Sequence, residues 1–247
     1  MFNIAVSGWG PITWLPLNPH LENFIYAWNY GSDPPIWRAL LNSTVVTLST
    51  TLLVLLISSL TGYALAVYKF RGSRLIFMWI LAQIIMQGTT SLFPGTTSLI
   101  PMYLLMNWFG WYNTWFSLII PAAFSAYCIF LMRQYVLTIP DDILDAARLS
   151  GCSEFGLYWR MILPLSKPAL AAIGLINSVW TWNQFLWPSL MIENTDLDTV
   201  TVTLSRVGPY GHGAAVIVLA TLPLIIFTVM FQKSLLKGFS GFGYTRR

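Results

Sequence analysis

The chain has 247 residues, of which 56% are hydrophobic and only 9% are charged, and its formal net charge is +4. Soluble domains have roughly a quarter of their residues charged, so this composition excludes a soluble globular protein. The two cysteines, Cys128 and Cys152, and the two histidines, His20 and His212, are isolated and lack metal-type or redox-type spacing. We therefore expect no disulfide, no metal site and no cofactor.

The N-terminal segment, residues 1–36, contains no Lys or Arg, has five prolines, and lacks an apolar run long enough for a signal peptide or a membrane span. We expect this segment to be extracytoplasmic. Because something must carry such a segment across the membrane, we also expect a further membrane helix upstream of this chain.

Five apolar stretches predict membrane helices, each of which needs about 20 residues to cross the bilayer. Four are continuous and cover residues 44–67, 115–132, 169–187 and 214–231. The fifth starts at Leu75 and loses its hydrophobicity near Gln87, where glycines and prolines interrupt the apolar run. Irregular backbone at membrane depth lines a path, or else belongs to an outer loop with a short interfacial helix. The predicted fold class is all-α, a polytopic membrane protein with about five transmembrane helices.

The basic residues are distributed asymmetrically about these spans. Eleven of the 13 Lys and Arg residues lie in residues 68–74, 133–168 and 233–247, and only Arg38 and Arg206 lie on the other side. The positive-inside rule then makes these three segments, including the C-terminus, cytoplasmic. The cytoplasmic position of these residues explains the net positive charge of the chain, so we expect no nucleic-acid partner.

No Asp, Glu, Lys, Arg or His lies within the five predicted spans. Proton-coupled carriers and intramembrane enzymes usually need such groups, so both classes are disfavoured. A nucleotide-binding loop is also absent, because Leu157 and Tyr158 stand after Gly156 where Lys and Ser or Thr would be required. If the protein moves a solute, its energy therefore comes from a partner.

Polar and aromatic side chains lie together at the outer end of the fourth predicted span. Trp is enriched at membrane interfaces, which accounts for Trp182 and Trp187. The amides of Asn183 and Gln184 would be costly to expose to lipid, so we expect them to face other helices or a cavity. These four residues are candidates for the solute path, with helix packing as the alternative.

A polar helical hairpin, residues 138–168, follows the third predicted span. Pro140 and Asp141 favour a helix start, and Gly151 can adopt the left-handed conformation that ends a helix. Ser153 can cap a second helix, which Pro164 and Pro168 are expected to close.

The two faces of the first hairpin helix differ in character. A helical wheel predicts one face with Asp141, Asp145 and Arg148, and an opposite, small-residue face with Ile143, Ala146 and Ala147. A metal or acid–base site at the aspartates is disfavoured, because no histidine or nucleophile accompanies them. The remaining alternatives are a solvated loop and a rigid helix that inserts into a groove of a partner.

The hairpin resembles the EAA motif of permease subunits of bacterial ABC importers. The run Asp145-Ala-Ala-x3-Gly151-x9-Met161-x-Leu163-Pro164 matches that motif, with Asp and Met in place of the usual Glu and Ile. Further stretches are similar to the maltose-type carbohydrate permeases, including those for glycerol-3-phosphate, and these are Asn42-Ser43, Gly62-Tyr63-Ala64, Arg133-Gln134 and residues 182–188.

The resemblance implies a multi-pass permease subunit, residues 37–247, in the cytoplasmic (inner) membrane of a bacterium. It would import a sugar or polyol derivative and would not be an enzyme, because a separate subunit hydrolyses ATP. The implied partners are a second permease, two cytoplasmic ATPase subunits, an extracytoplasmic solute-binding protein and membrane lipid. The alternatives are a permease for amino acids or inorganic anions, and a non-transporting membrane enzyme or scaffold.

The resemblance also implies which residues couple the permease to the ATPase. The family typically has one more membrane span than predicted here, the first, in agreement with the helix expected upstream. The residues implied to contact the ATPase or to shape the hairpin are Asp141, Asp145, Ala146, Ala147, Arg148, Gly151, Leu163 and Pro164.

Overall fold

The computed structural model describes residues 22–29, 35–68, 70–89, 99–206, 215–226 and 228–229. All regular secondary structure within these ranges is helical, which confirms the all-α class. Most of the predicted N-terminal segment, the interrupted stretch at residues 90–98 and the C-terminal segment from residue 230 lie outside the described residues. The helices, in chain order, are α1 Glu22–Asn29, α2 Ile36–Val67, α3 Ser73–Thr89, α4 Leu99–Trp108, α5 Trp115–Ala122, α6 Ala126–Val136, α7 Asp141–Leu149, α8 Glu154–Leu165, α9 Lys167–Trp182, α10 Leu186–Met191, α11 Val200–Arg206 and α12 Ala215–Ile226.

Within the described ranges, two helical segments are long and apolar enough to cross a membrane, namely Ile36–Val67 and Trp115–Val136. A third candidate is the bent pair of α8 and α9, which meet at an angle of 73°. Three shorter apolar helices, Ser73–Ile85, Leu99–Trp108 and Ala215–Ile226, lie within α3, α4 and α12. A polytopic membrane protein is therefore confirmed as the fold class.

Helix α2 starts earlier than hydrophobicity alone predicts. It has 32 residues, which at 1.5 Å per residue makes it about 48 Å long. Its first turns bury Ile36 and Ala39 in an apolar cluster with Trp182 and Val216. This packing extends the helix before residue 44, even though Arg38 lies in the added turns.

The predicted fourth span, residues 169–187, is wrong at its outer end. Helix α9 ends at Trp182, and Trp187 lies in the separate helix α10. The Thr201 hydroxyl donates a hydrogen bond of 2.5 Å to the carbonyl of Gln184 and fixes the turn between the two helices. Pro188 suits the first turn of a new helix because it needs no hydrogen-bond acceptor there.

Helices α6 and α9 pack closely against α2. A Cβ atom on Gly62 would lie 2.9 Å from the backbone nitrogen of Arg133 and from the side chain of Met132, so the α2–α6 contact requires glycine. Between α2 and α9, Asn177 Nδ2 donates to Thr51 Oγ1 at 3.1 Å, and the hydroxyls of Thr51 and Ser178 are 3.2 Å apart. Such side-chain bonds satisfy polar groups that lipid could not hydrate.

The α2–α6 contact gives a stability prediction. Gly62→Ala forces a methyl group against backbone, so we expect the free energy of unfolding to fall by about 1–3 kcal/mol. Gly174→Ala is the matched control, because its Cβ would meet only side chains of α2 at ordinary contact distances, Leu55 at 3.4 Å and Thr51 at 3.8 Å. Thermal unfolding of the detergent-solubilised protein should show a lower midpoint for Gly62→Ala alone. Equal midpoints for the two variants would contradict the proposed close contact.

Candidate functional site

The first hairpin helix, α7, ends in a left-handed turn, as predicted. Gly151 has φ +79°, the Gly151 nitrogen donates to the carbonyl of Arg148 at 2.9 Å, and the Cys152 nitrogen donates to that of Ala147 at 3.1 Å. These two bonds satisfy carbonyls at the helix C-terminus. The hairpin turn is therefore built by local backbone chemistry around one glycine.

The second hairpin helix, α8, begins at its predicted cap and ends within its predicted boundary. Ser153 Oγ accepts a hydrogen bond of 3.2 Å from the Gly156 nitrogen. The predicted closure by Pro164 and Pro168 is confirmed, because α8 ends at Leu165, between the two prolines, and Pro168 lies in the first turn of α9. A π turn, Tyr158–Ile162, precedes Pro164 and widens the backbone where the proline ring would otherwise clash.

The predicted small-residue face of α7 is divided between two surroundings. Leu144 and Ala147 are buried against the apolar cluster that includes Tyr63, Met132 and Leu157. The prediction that Ile143, Ala146 and Ala147 form one face is therefore wrong, because Ala147 packs against the same chain whereas Ile143 and Ala146 are exposed. The inward face of α7 holds the hairpin to the helix bundle.

The outward surface of the hairpin combines charged and apolar side chains. Leu149 is 90% exposed and Phe155 is 73% exposed, and the Phe155 ring stacks on that of Trp159 with 6.3 Å between centroids. Asp141, Asp145, Ala146 and Arg148 are also exposed on this surface. Leu163 is partly buried and Pro164 is exposed, both on the far side of the π turn.

A polar network that was not predicted joins the hairpin to the end of α2. Glu154 Oε2 accepts hydrogen bonds from Tyr68 Oη at 2.6 Å and from Tyr63 Oη at 3.3 Å. Glu154 Oε1 accepts a hydrogen bond of 3.0 Å from Arg148 Nε, and an Arg148 terminal nitrogen lies 3.2 Å from Asp145 Oδ1. Tyr68 and Tyr63 lie 86 and 91 residues away from Glu154 along the chain, so no local sequence pattern could identify these contacts.

The network lowers the pKa of the Glu154 carboxyl below its usual range, chiefly through the Tyr68 hydrogen bond and then through Arg148. A carboxyl with a lowered pKa in the folded state stabilises that state above its unfolded pKa, and this contribution is lost as the pH falls through the folded value. Glu154 is consequently ionised at neutral pH and the network is intact there.

The four candidates for the solute path occupy different surroundings. Trp182 is buried, and Trp187 donates a hydrogen bond of 2.8 Å from Nε1 to the carbonyl of Ser117. Asn183 is exposed, with Nδ2 donating to the carbonyl of Val179 at 2.7 Å, and Gln184 is partly buried. The two tryptophans thus pack between helices, and Asn183 is the candidate with a free surface.

In the part of the chain that the structure describes, no group of three or more His, Cys, Asp or Glu side chains is arranged to hold a metal ion. Both cysteines are unpaired thiols, Cys128 buried and Cys152 partly exposed.

A family model described as binding-protein-dependent transport system inner membrane component matches residues 58–240, a range that includes the whole hairpin. The chain belongs to this family. Its sequence is 36% identical over 222 residues to the arabinooligosaccharides transport system permease protein AraQ of Bacillus subtilis (strain 168), covering 88% of this chain and 76% of AraQ. It is 30% identical over 238 residues to the sn-glycerol-3-phosphate transport system permease protein UgpE of Shigella flexneri serotype 5b (strain 8401), covering 92% of this chain and 82% of UgpE.

Solved transporters share this fold. A bacterial ABC transporter involved in the import of the acidic polysaccharide alginate matches with a TM-score of 0.77 and 23% identity, over 89% of this chain and 81% of that chain. A bacterial alginate ABC transporter in complex with an alginate pentasaccharide-bound periplasmic protein matches with a TM-score of 0.56 and 14% identity, over 87% of this chain and 81% of that chain. The resemblance inferred from the sequence is confirmed, and the chain is an inner-membrane permease subunit of an ABC transporter.

Proposed function

We propose that this permease subunit imports a sugar or polyol derivative. The relatives AraQ and UgpE support this proposal, because they are similar over most of the chain. AraQ is described as a permease for arabinooligosaccharides and UgpE as a permease for sn-glycerol-3-phosphate. An extracytoplasmic solute-binding protein would deliver the solute, consistent with the binding-protein-dependent family. Asn183 and Gln184 are the proposed contacts along the path, and Trp182 and Trp187 support the helices around them.

The hairpin is the proposed contact with the cytoplasmic ATPase subunits, two of which would serve the complete importer. Its outward surface is charged at Asp141, Asp145 and Arg148 and apolar at Leu149 and Phe155. An exposed apolar surface rimmed by charge is typical of a protein interface. Ala146, Gly151, Leu163 and Pro164 would shape this contact, whereas Ala147 would act through packing within the hairpin.

A second permease subunit and membrane lipid are the proposed surroundings of the helix bundle. Exposed leucines recur along one side of α2, at Leu41, Leu48, Leu52, Leu56 and Leu60. An apolar stripe on a membrane helix is satisfied by lipid or by another membrane helix. The proposed unit is therefore a heterodimer of permeases, with residues 37–247 forming the membrane domain of this subunit.

The proposed topology places residues 1–36 outside the cytoplasm and the hairpin and C-terminus inside it, as the distribution of Lys and Arg indicates. In a background with both cysteines replaced by alanine, Asn3→Cys should react with a membrane-impermeant maleimide in intact spheroplasts. Arg247→Cys should react only in inverted vesicles. The reverse pattern of labelling would contradict this orientation.

The solute class can be tested on the complete importer in proteoliposomes, by uptake and ATP hydrolysis with α-1,5-arabinotriose, sn-glycerol-3-phosphate, L-histidine and sulfate. We expect one of the first two to drive both activities, and Asn183→Ala to raise its KM by about tenfold, the scale of a lost hydrogen bond in a solute path. Activity with histidine or sulfate alone would contradict the carbohydrate class. An unchanged KM in Asn183→Ala would exclude this residue from the path.

The hairpin turn tests the ATPase contact, because a Cβ atom on Gly151 would meet nothing within 4 Å of its own chain. Asn and Asp tolerate the left-handed region best among residues other than glycine, so Gly151→Asn and Gly151→Asp should fold similarly. The added charge of Gly151→Asp should reduce ATPase co-purification by about tenfold, while Gly151→Asn stays close to wild type. Normal solute-stimulated ATP hydrolysis by Gly151→Asp would contradict docking at this turn.

A further inference from the structure

Two polar contacts, one helical turn apart, join α8 to the cytoplasmic end of α2. Ser59 Oγ and Tyr158 Oη are 2.7 Å apart, and Tyr63 Oη donates to Glu154 Oε2 at 3.3 Å. Ser59 and Tyr63 are separated by four residues along α2, as are Glu154 and Tyr158 along α8, so both helices present these groups on one face. The Tyr63 and Tyr158 rings also pack with 5.6 Å between centroids.

Glu154 also forms hydrogen bonds with residues outside α8 and α2. The same carboxylate accepts hydrogen bonds from Tyr68, just after α2, and from Arg148 on α7. Its side chain therefore connects both hairpin helices to the end of α2. Arg148 in turn contacts Asp145, which belongs to the outward surface of α7.

We expect the hydrogen bonds from Tyr63 and Tyr68 to Glu154 to stabilise this contact more than the ion pair between Arg148 and Glu154 does. Arg148 and Glu154 side chains are 37% and 49% exposed, and ion pairs at such exposure contribute little because water screens them. The Tyr68 bond is a charge-assisted hydroxyl-to-carboxylate hydrogen bond of 2.6 Å, shorter than the 3.0 Å contact between Arg148 and Glu154. Tyr63 is buried, so its hydroxyl needs a partner within the protein.

Apolar packing holds the hairpin in place independently of Glu154. Leu144 of α7 and Leu157 and Ile162 of α8 are buried in one cluster with Val54 and Tyr63 of α2. Replacing Glu154 should therefore loosen the direction of the hairpin without unfolding it. A hairpin that stays folded when Glu154 is replaced would distinguish a positioning role of Glu154 from a purely structural one.

We propose that Glu154 is the positioning residue that passes hairpin movement to α2, by fixing α7 and α8 to Tyr63 and Tyr68. The proposal rests on the docking of the hairpin to the ATPase. Helix α2 is continuous from Ile36 to Val67, so a displacement at Tyr63 reaches Thr44, about 28 Å further along the helix. Thr44 borders a small apolar crevice that is also lined by Ser178 of α9 and Leu224 of α12.

The test measures movement at the far end of α2 without requiring a known solute. The complete importer carries Thr44→Cys in a background with Cys128 and Cys152 replaced by alanine, and maleimide labelling is compared with and without ATP and vanadate. We expect the nucleotide-dependent change in labelling rate to fall by about tenfold in Glu154→Gln, the scale of one charge-assisted hydrogen bond. ATPase co-purification and basal ATP hydrolysis should remain at the levels of the parent protein.

Two further variants test whether the contact between Glu154 and Tyr68 is responsible for the labelling response. Tyr68→Phe should lower the same response, and adding it to Glu154→Gln should lower the response no further, because both changes break one contact. Arg160→Gln removes an exposed charge from α8 and should keep the response of the parent protein.

A full labelling response in Glu154→Gln, or an equal loss in Arg160→Gln, would overturn the assignment of Glu154. Fully additive effects of Glu154→Gln and Tyr68→Phe would also overturn it. A parent protein that does not retain the ATPase would instead contradict the proposed docking, so the two failures are distinguishable.

Discussion

Helix α2 is the element on which the other described parts of the molecule depend, because its polar side chains bind three separate regions. Toward its N-terminal end, Asn42 Nδ2 donates to the carbonyls of Asp196 and Asp198 at 2.8 and 3.0 Å, and Ser43 Oγ accepts from the Val200 nitrogen. In its middle, Thr51 bonds to α9, and at its C-terminal end Ser59 and Tyr63 bind α8. The buried bonds of Thr51 and Ser59 satisfy groups that lipid could not, so a shift of α2 is expected to move these partners with it.

The hairpin has two faces with different physical roles. Leu144 and Ala147 anchor it to its own chain, while Leu149, Phe155 and the charged residues beside them face outward. A helix that is tightly packed on one side and open on the other can receive a force and pass it on, because packed cores do not deform continuously. Glu154 adds a directional contact to this apolar attachment, which by itself fixes position less specifically than hydrogen bonds do.

The sequence predicted best those features that local chemistry determines. Gly151 and Ser153 shape the hairpin through their own backbone and side chains, so the turn and the second helix start were predictable from residue types alone. The outer end of α9 was mispredicted because a bond from Thr201 to Gln184, far from the hydrophobic run, ends the helix. The Glu154 network was missed for the same reason, since Tyr63 and Tyr68 meet it only in the folded chain.

The central claim is that the outward surface of the hairpin contacts the ATPase. A photo-crosslinking amino acid in place of Leu149, which is 90% exposed, tests this directly in the complete importer when adducts are identified by mass spectrometry. Trp108, which is 82% exposed at the end of α4, is the matched control position. We expect an adduct with the ATPase subunit from position 149 and none from position 108. No ATPase adduct from position 149, or equal adducts from both positions, would contradict it.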